Sequence, residues 1–190
     1  APWKNIDLRG KIESRFLFRT AISKNILPFA IFKPLLVALP ITIEQNGEDE
    51  KHIRIFSQTE LMREGYLNAS QWFRNVENIW RIHRTQLNEK YTATEYLNYQ
   101  NKIVTQDVNS DYIVLYNSSA KDANATVLRR KDLDLDFIVD HKTYWLKTET
   151  KEEAYYLTSI LNSSIPNLLM KDFQTKGLFG ARDVHKKILD

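Results

Sequence analysis

Three patterns of apolar and polar positions run along this chain, and each predicts a different kind of element. From residue 11 to 22 the apolar positions Ile12, Phe16, Leu17, Ala21 and Ile22 fit a helix or a strand equally. Residues 35–45 (LLVALPITIEQ) are β-rich, and Pro40, which has no N–H to donate, makes the run an edge or interrupted strand. Gln45 to Glu50 forms an acidic turn around Gly47, and alternation resumes over Lys51–Phe56, so the two segments read as a hairpin. The clearest helix runs from Leu67 to Lys90, with Trp72, Phe73, Val76, Ile79, Trp80, His83 and Leu87 at spacings of three and four. Asn68 or Ser70 can cap its start. On that stripe Trp72, Trp80 and His83 read as packing residues before they read as a base-stacking platform or a ligand.

A second helix is expected over Thr94–Gln100. Asp111–Asn117 (DYIVLYN) is apolar on both faces, which predicts a central strand. Ser118–Asn124 supplies a turn, Ala125–Arg130 the return strand, and Asp136–Val139 and Thr143–Lys147 two further short strands. Thr150 and Glu153 form a capping-box pattern that opens a helix through Asn162. Its apolar face is Ala154, Tyr155, Leu157, Thr158 and Leu161. Pro166 stands in the first turn of another helix, to about Phe173. A loop from Gln174 to Gly180 and a final helical turn near Arg182 complete the chain. With no internal repeat and no low-complexity linker, residues 1–190 read as one α+β domain. It combines a mixed or antiparallel sheet, a long helix and C-terminal helices.

Composition changes this picture little, but charge distribution adds to it. The 190 residues include 43% hydrophobic side chains and four tryptophans, enough to bury a core, and the net charge is only +3. Residues 1–40 hold seven Lys/Arg against two Asp/Glu, residues 41–99 seven against nine, and residues 100–190 thirteen against thirteen. Basic character is therefore local, at Lys4, Arg9, Lys11, Arg15, Arg19 and Lys24 and again at Lys176, Arg182, Lys186 and Lys187. Such clusters suit a phosphate backbone, and equally a solvated surface. The chain has no cysteine, so disulfides, thiolate metal sites and cysteine nucleophiles are excluded. Lys33, Pro34 and Pro40 break the longest apolar stretch, 31–43, well short of a bilayer span. The Asn-x-Ser/Thr triplets, such as Asn68-Ala69-Ser70, come with no signal peptide, and a cytoplasmic protein is expected.

The sequence also lacks the motifs of an autonomous enzyme. There is no dinucleotide or nucleotide phosphate loop, no nucleophile elbow, and no metal-ligand spacing among His52, His83, His141 and His185. Asp140 with Glu149-Thr150-Lys151 has the order of a magnesium-dependent nuclease set. The same residues also fit a helix start, where Glu149 faces the positive end of the helix dipole.

The C-terminal segment is the most specific. Glu153-Ala-Tyr-Tyr-Leu-Thr-Ser-Ile-Leu-Asn-Ser163, then Phe173-Gln174, then Gly177-Leu-Phe-Gly-Ala-Arg182-Asp183-Val-His185 resembles the tail of adenine-specific N6 DNA methyltransferases. It is similar to their TaqI-like specificity domain, related to the readers of type I and type IIG restriction–modification systems. Trp3, Arg9-Gly10, Pro28-Phe29, Leu39-Pro40, Trp80, the Tyr96–Lys102 run, Gln106 and Tyr144-Trp145 follow as landmarks in the same order. The resemblance implies a target-recognition domain that clamps double-stranded DNA while a separate domain binds S-adenosylmethionine and transfers the methyl group. That domain's Asn/Asp-Pro-Pro-Tyr/Phe motif is absent from these residues, so this part carries no cofactor and no catalytic residue of its own. The opening at Ala1-Pro2 without Met, and the stop at Asp190 before a Pro-x-Pro exit, predict a fragment whose partner is the catalytic domain of the same chain.

The residues expected to meet DNA are Gln174, Thr175, Lys176, Gly177, Arg182, His185, Lys186 and Lys187, with Lys102, Gln106 and Lys121 as a second tier. Lysines and backbone N–H groups in a glycine loop can approach phosphates closely. Gln174 could pair bidentately with adenine and Arg182 with guanine. The same glycines equally permit a plain turn, and Arg182 can pair with Asp183 or Asp172. A docking module that binds another protein, and the nuclease, are the alternatives.

Overall fold

The computed structural model describes residues 5–47, 50–118, 122–174, 176–177, 180–181 and 184, and every structural statement below concerns these. Its strands are β1 (Leu17–Thr20), β2 (Ile26–Leu27), β3 (Ala30–Ile31), β4 (Leu35–Ala38), β5 (Ile41–Asn46) and β6 (Glu50–Ile55) in the first part of the chain. They continue with β7 (Tyr112–Asn117), β8 (Ala125–Arg129), β9 (Thr143–Thr148), β10 (Lys176–Gly177) and β11 (Gly180–Ala181). The helices are α1 (Gln58–Arg63), α2 (Leu67–His83), α3 (Ala93–Leu97), α4 (Lys151–Leu161) and α5 (Ser164–Met170). The result is a mixed α+β fold of small antiparallel sheets. Its residues gather into two compact units, 1–18 with 38–108 and 19–37 with 109–190, where the sequence reading takes one domain over 1–190.

The first unit is built on a hairpin and a helix pair. β5 and β6 pair antiparallel from Ile41↔Ile55 to Asn46↔Glu50, around the turn at Gly47. Gly47 has φ +79°, a conformation that glycine adopts without steric cost. Phe16, Phe56, Leu61, Ala69 and Phe73 form the core. Around Phe16 the rings of Phe56 and Tyr66 stand edge-to-face at 6.1 and 5.1 Å. α1 was not expected from sequence, yet it carries its own signal. Ser57 accepts from the Glu60 N–H, and the Glu60 carboxylate accepts back from the Ser57 N–H and hydroxyl, a complete capping box.

α2 ends at His83, short of Lys90, and neither Asn68 nor Ser70 caps it. The Glu13 carboxylate does so instead, accepting from the N–H groups of Asn68 (3.1 Å) and Ala69 (2.8 Å). An anion there satisfies orphan donors and favours the helix dipole. Within the expected apolar stripe Phe73 is buried, Trp72 and Trp80 are half-buried and Leu87 is exposed. Gly10 packs on the Trp72 indole so closely that a Cβ would lie 3.2 Å from the ring. The Trp80 Nε1–H donates to the Tyr91 carbonyl, and its ring lies 4.5 Å from that of Tyr96.

The second unit is layered on a three-stranded sheet, β8-β7-β9. β7 is central, as its two apolar faces require. Val114 and Tyr116 pack with Ala154, Leu161 and Met170 on the helical side. Ile113 and Leu115 pack with Ala21, Ile26, Leu128, Phe137 and Val139 on the other. Residues 136–139 are not the expected strand. They make a single parallel bridge, Phe137 to Arg19, flanked by the hydrogen bonds Arg19 N–H to the Asp136 carbonyl and Ile138 N–H to the Arg19 carbonyl. The chain then turns at Asp140, whose carboxylate accepts from the Lys142 N–H. On α4 the buried positions are Ala154, Thr158 and Leu161, and Tyr155, expected inside, is exposed.

Three carboxylates give the protein an acid limb. The Ser57 hydroxyl holds Glu60 below its ordinary pKa, the Thr92 N–H does the same for Glu95, and the Arg19 guanidinium for Asp134. Folded values below unfolded values mean that these contributions are present above pH about 4 and vanish as pH falls through the folded values. Stability should therefore be insensitive to these groups from neutrality down to about pH 5 and decline below about pH 4. Urea melts of the Glu60→Gln, Glu95→Gln double variant are expected to show a shallower acid limb; an unchanged one would contradict the assignment.

Candidate nucleic-acid interface

The Leu161-Asn162-Ser163 triplet at the end of α4 is a structural joint. Leu161 is fully buried, and Ser163 stands at the N-terminus of α5. The Asn162 amide grips the backbone of Ala125 at both groups: Oδ1 accepts from the N–H (2.8 Å) and Nδ2 donates to the carbonyl (2.9 Å). Asn167 accepts from the Ala123 N–H and donates to the Ser163 carbonyl. Asn117 accepts from the Asn124 N–H and donates to the Asp122 carbonyl. Three asparagine amides thus fix residues 122–125 where they enter β8. Beside them lies an open cleft of about 380 Å³, lined among others by Pro28, Asn124, Asn162, Asn167, Leu168 and Lys171.

From α5 the chain passes through a 3-10 turn, Lys171–Phe173, into β10 and β11, which pair as Lys176↔Ala181 and Gly177↔Gly180. The expected glycine loop is therefore a short β-ribbon. Both of its ends are anchored. Gln174 is only 6% exposed; Val184 is 1% exposed, packs in the core with Val114 and Tyr116, and donates its N–H to the Ser118 carbonyl.

The expected DNA contacts divide as follows. Gln174 is buried, so its amide is not presented at the surface here. The backbones of Lys176 and Gly177 form β10. Thr175, Arg182, His185, Lys186, Lys187 and Lys121, and the final helical turn near Arg182, lie outside the described residues. Lys102 and Gln106 belong to the first unit, and Gln174 to Gly177 to the second. Lys102 is exposed, following Gln100 and Asn101, which both have positive φ. Gln106 is 8% exposed and donates through Nε2 to the Lys102 carbonyl.

Of the residues of the nuclease alternative, Asp140 and Thr150 have structural roles through their side chains, and Glu149 is engaged through its backbone N–H. Asp140 closes its turn, the Glu149 N–H donates to the Glu153 carboxylate, and Thr150 accepts from the Glu153 N–H as N-cap of α4. Among the described residues no group of three His, Asp or Glu side chains gathers as a metal site, and no helix is long and apolar enough to cross a membrane.

Sequence reasoning missed the hairpin β2–β3, which pairs as Ile26↔Ile31 and Leu27↔Ala30 around Pro28-Phe29. The proline followed by Phe29 at φ +62° has the pattern of a type II turn. Such a turn usually has Gly or Asn in the Phe29 position, so Pro28 stood without the partner that makes the signal specific. No protein-family model matches this chain, and no curated protein matches it.

Proposed function

We propose that this chain is the DNA-reading module of an adenine-N6 DNA methyltransferase, holding duplex DNA while a separate S-adenosylmethionine-binding domain transfers the methyl group. The observation that carries the reading is the anchored ribbon after α5. Its residue order is the one through which the chain resembles TaqI-like specificity domains, and a two-stranded β-ribbon is an element that the major groove admits. Glycines at 177 and 180 allow close approach of its backbone to phosphates. Methyl transfer requires the adenine to leave the stack, so a reader must hold the flanking duplex firmly.

The test is binding to a labelled random-sequence duplex pool over a salt series. Affinity is expected to fall steeply with salt, and Lys176→Ala to reduce the slope of log K against log salt by about 1. No binding at low salt, or binding indifferent to salt, would sink the reading.

A second reading has its own observation. Ile165, Leu168 and Leu169 of α5 and the following Phe173 are all strongly exposed, and such an apolar group suits a protein partner. A docking module of this kind would bind protein and show no salt-dependent affinity for DNA.

A further inference from the structure

Phe29 adopts a backbone conformation that disfavours its own side chain. At φ +62° it occupies the left-handed region, where the Cβ of a bulky residue crowds the backbone. Burial does not compensate, because Phe29 is 54% exposed. A glycine or asparagine would make the same turn with less strain. The turn geometry therefore gives no reason for an aromatic ring at the tip.

The hairpin beneath the ring is held firmly. The Phe29 N–H donates to the Ala125 carbonyl (2.9 Å), the same group that Asn162 grips. Asn25, itself 5% exposed, donates to the carbonyls of Phe32 (3.0 Å) and Lys33 (3.2 Å) and accepts from the Ile22 N–H. Ile26 and Ile31 pack inward against the second core, while Leu27, Pro28, Phe29 and Phe32 remain exposed. Within the segment itself, from Arg19 to Val37, the charged residues are Arg19, Lys24 and Lys33, and Asp122 lines the same cleft as Pro28. Arg19 is engaged by Asp134, whereas Lys24 and Lys33 are exposed, with Lys33 Nζ 5.0 Å from the Phe32 ring centroid.

We infer that the Pro28-Phe29 tip is an apolar wedge that enters the base stack of duplex DNA while Lys24 and Lys33 neutralise flanking phosphates. The inference rests on the DNA-reading function proposed above and names a contact element for it outside the C-terminal ribbon. Rigidly presented Phe and Pro side chains can unstack a base step and unwind the duplex locally. A strained conformation persists where surrounding structure over-determines it, and here Ala125 and Asn25 do so.

Unwinding can be read without knowing the recognition sequence. Plasmid DNA is relaxed by a topoisomerase in the presence of the full chain, and its linking number is then measured. The wild type is expected to shift the topoisomer distribution. Phe29→Gly and Phe29→Ala should abolish the shift and bind the random-sequence duplex pool about tenfold more weakly. Phe29→Trp should retain both properties. Phe29→Gly is expected to keep the melting midpoint within about 3 °C of wild type, since relief of the strained φ offsets glycine's greater freedom in the unfolded chain. Lys24→Ala with Lys33→Ala should lower the salt slope by about 2.

Wild-type binding with an unaltered shift in Phe29→Gly would overturn the wedge and leave the DNA-reading function standing. Absence of wild-type binding would overturn both. Self-association of the wild type that Phe29→Gly abolishes, with no unwinding, would assign the tip to a protein contact and also overturn the wedge.

Discussion

Truncating Phe16 to alanine is expected to destabilise the first unit by about 3–5 kcal/mol, the usual range for deleting a buried phenylalanine ring. Phe16 has no exposed surface, and Phe56 and Tyr66 meet it edge-to-face, so its loss removes both buried area and two ring contacts. The residues around it, Leu61, Ala69 and Phe73 among them, are apolar and already packed in the same core. Arg15, next in sequence, points outward to donate to the Tyr66 hydroxyl. Hydrogen exchange should locate the damage, with protection lost in α2 and in β5–β6. A loss below about 1 kcal/mol would mean that the site collapses around the smaller side chain. Phe16→Leu should recover much of the stability, because volume matters more here than aromatic character.

Asn162→Ala is expected to cost about 2–3 kcal/mol, although Asn162 is itself only half-buried. The reason lies in its partner. Ala125 is fully buried, and without Asn162 its N–H loses the acceptor that Asn162 provides, while its carbonyl keeps the Phe29 N–H. An unsatisfied buried donor carries the larger part of the penalty. Asn162→Asp gives a sharper result. The aspartate still accepts from the Ala125 N–H, but its second oxygen faces the Ala125 carbonyl where Nδ2 had donated. Two acceptors in contact repel, so the isosteric variant should be at least as unstable as alanine. If Asn162→Asp melts like wild type in urea, the two-point grip is not what fixes this joint.

The two substitutions mark how far the sequence could be read. Phe16 lies in a segment whose pattern fitted a helix or a strand equally. The chain makes a 3-10 turn there, Ser14–Phe16, followed by β1, and neither period was dominant enough to choose. The Leu-Asn-Ser triplet stood out in the sequence by resemblance alone, which says nothing of its physical task. Asn162 and Ala125 are 37 residues apart, and no local pattern announces that one will grip the other. The candidate site was legible to a similar depth. The order Gln174…Gly177…Gly180 stands in the sequence, whereas the anchoring of the ribbon at Gln174 and Val184 follows from the packing of the sheet. The β2–β3 hairpin escaped because its turn uses Phe29 where glycine or asparagine is the usual signal.

Elements governed by short-range forces can be read directly from the order of residues. The hairpin of β5 and β6 follows from alternation around Gly47. The central place of β7 follows from apolar residues on both faces, and the start of α4 from the Thr150 cap. Each depends on steric and hydrophobic relations among residues a few positions apart, which the order of residues records directly. The partners of polar groups far apart in the chain were instead set by long-range packing. Glu13 caps α2 from 55 residues away, and Arg19 pairs with Asp134 across 115 residues. Residues 136–139 bond to Arg19 instead of completing a strand. These choices depend on which donors and acceptors folding brings together away from water. Many polar residues could serve each role locally, and only the meeting of distant segments selects one.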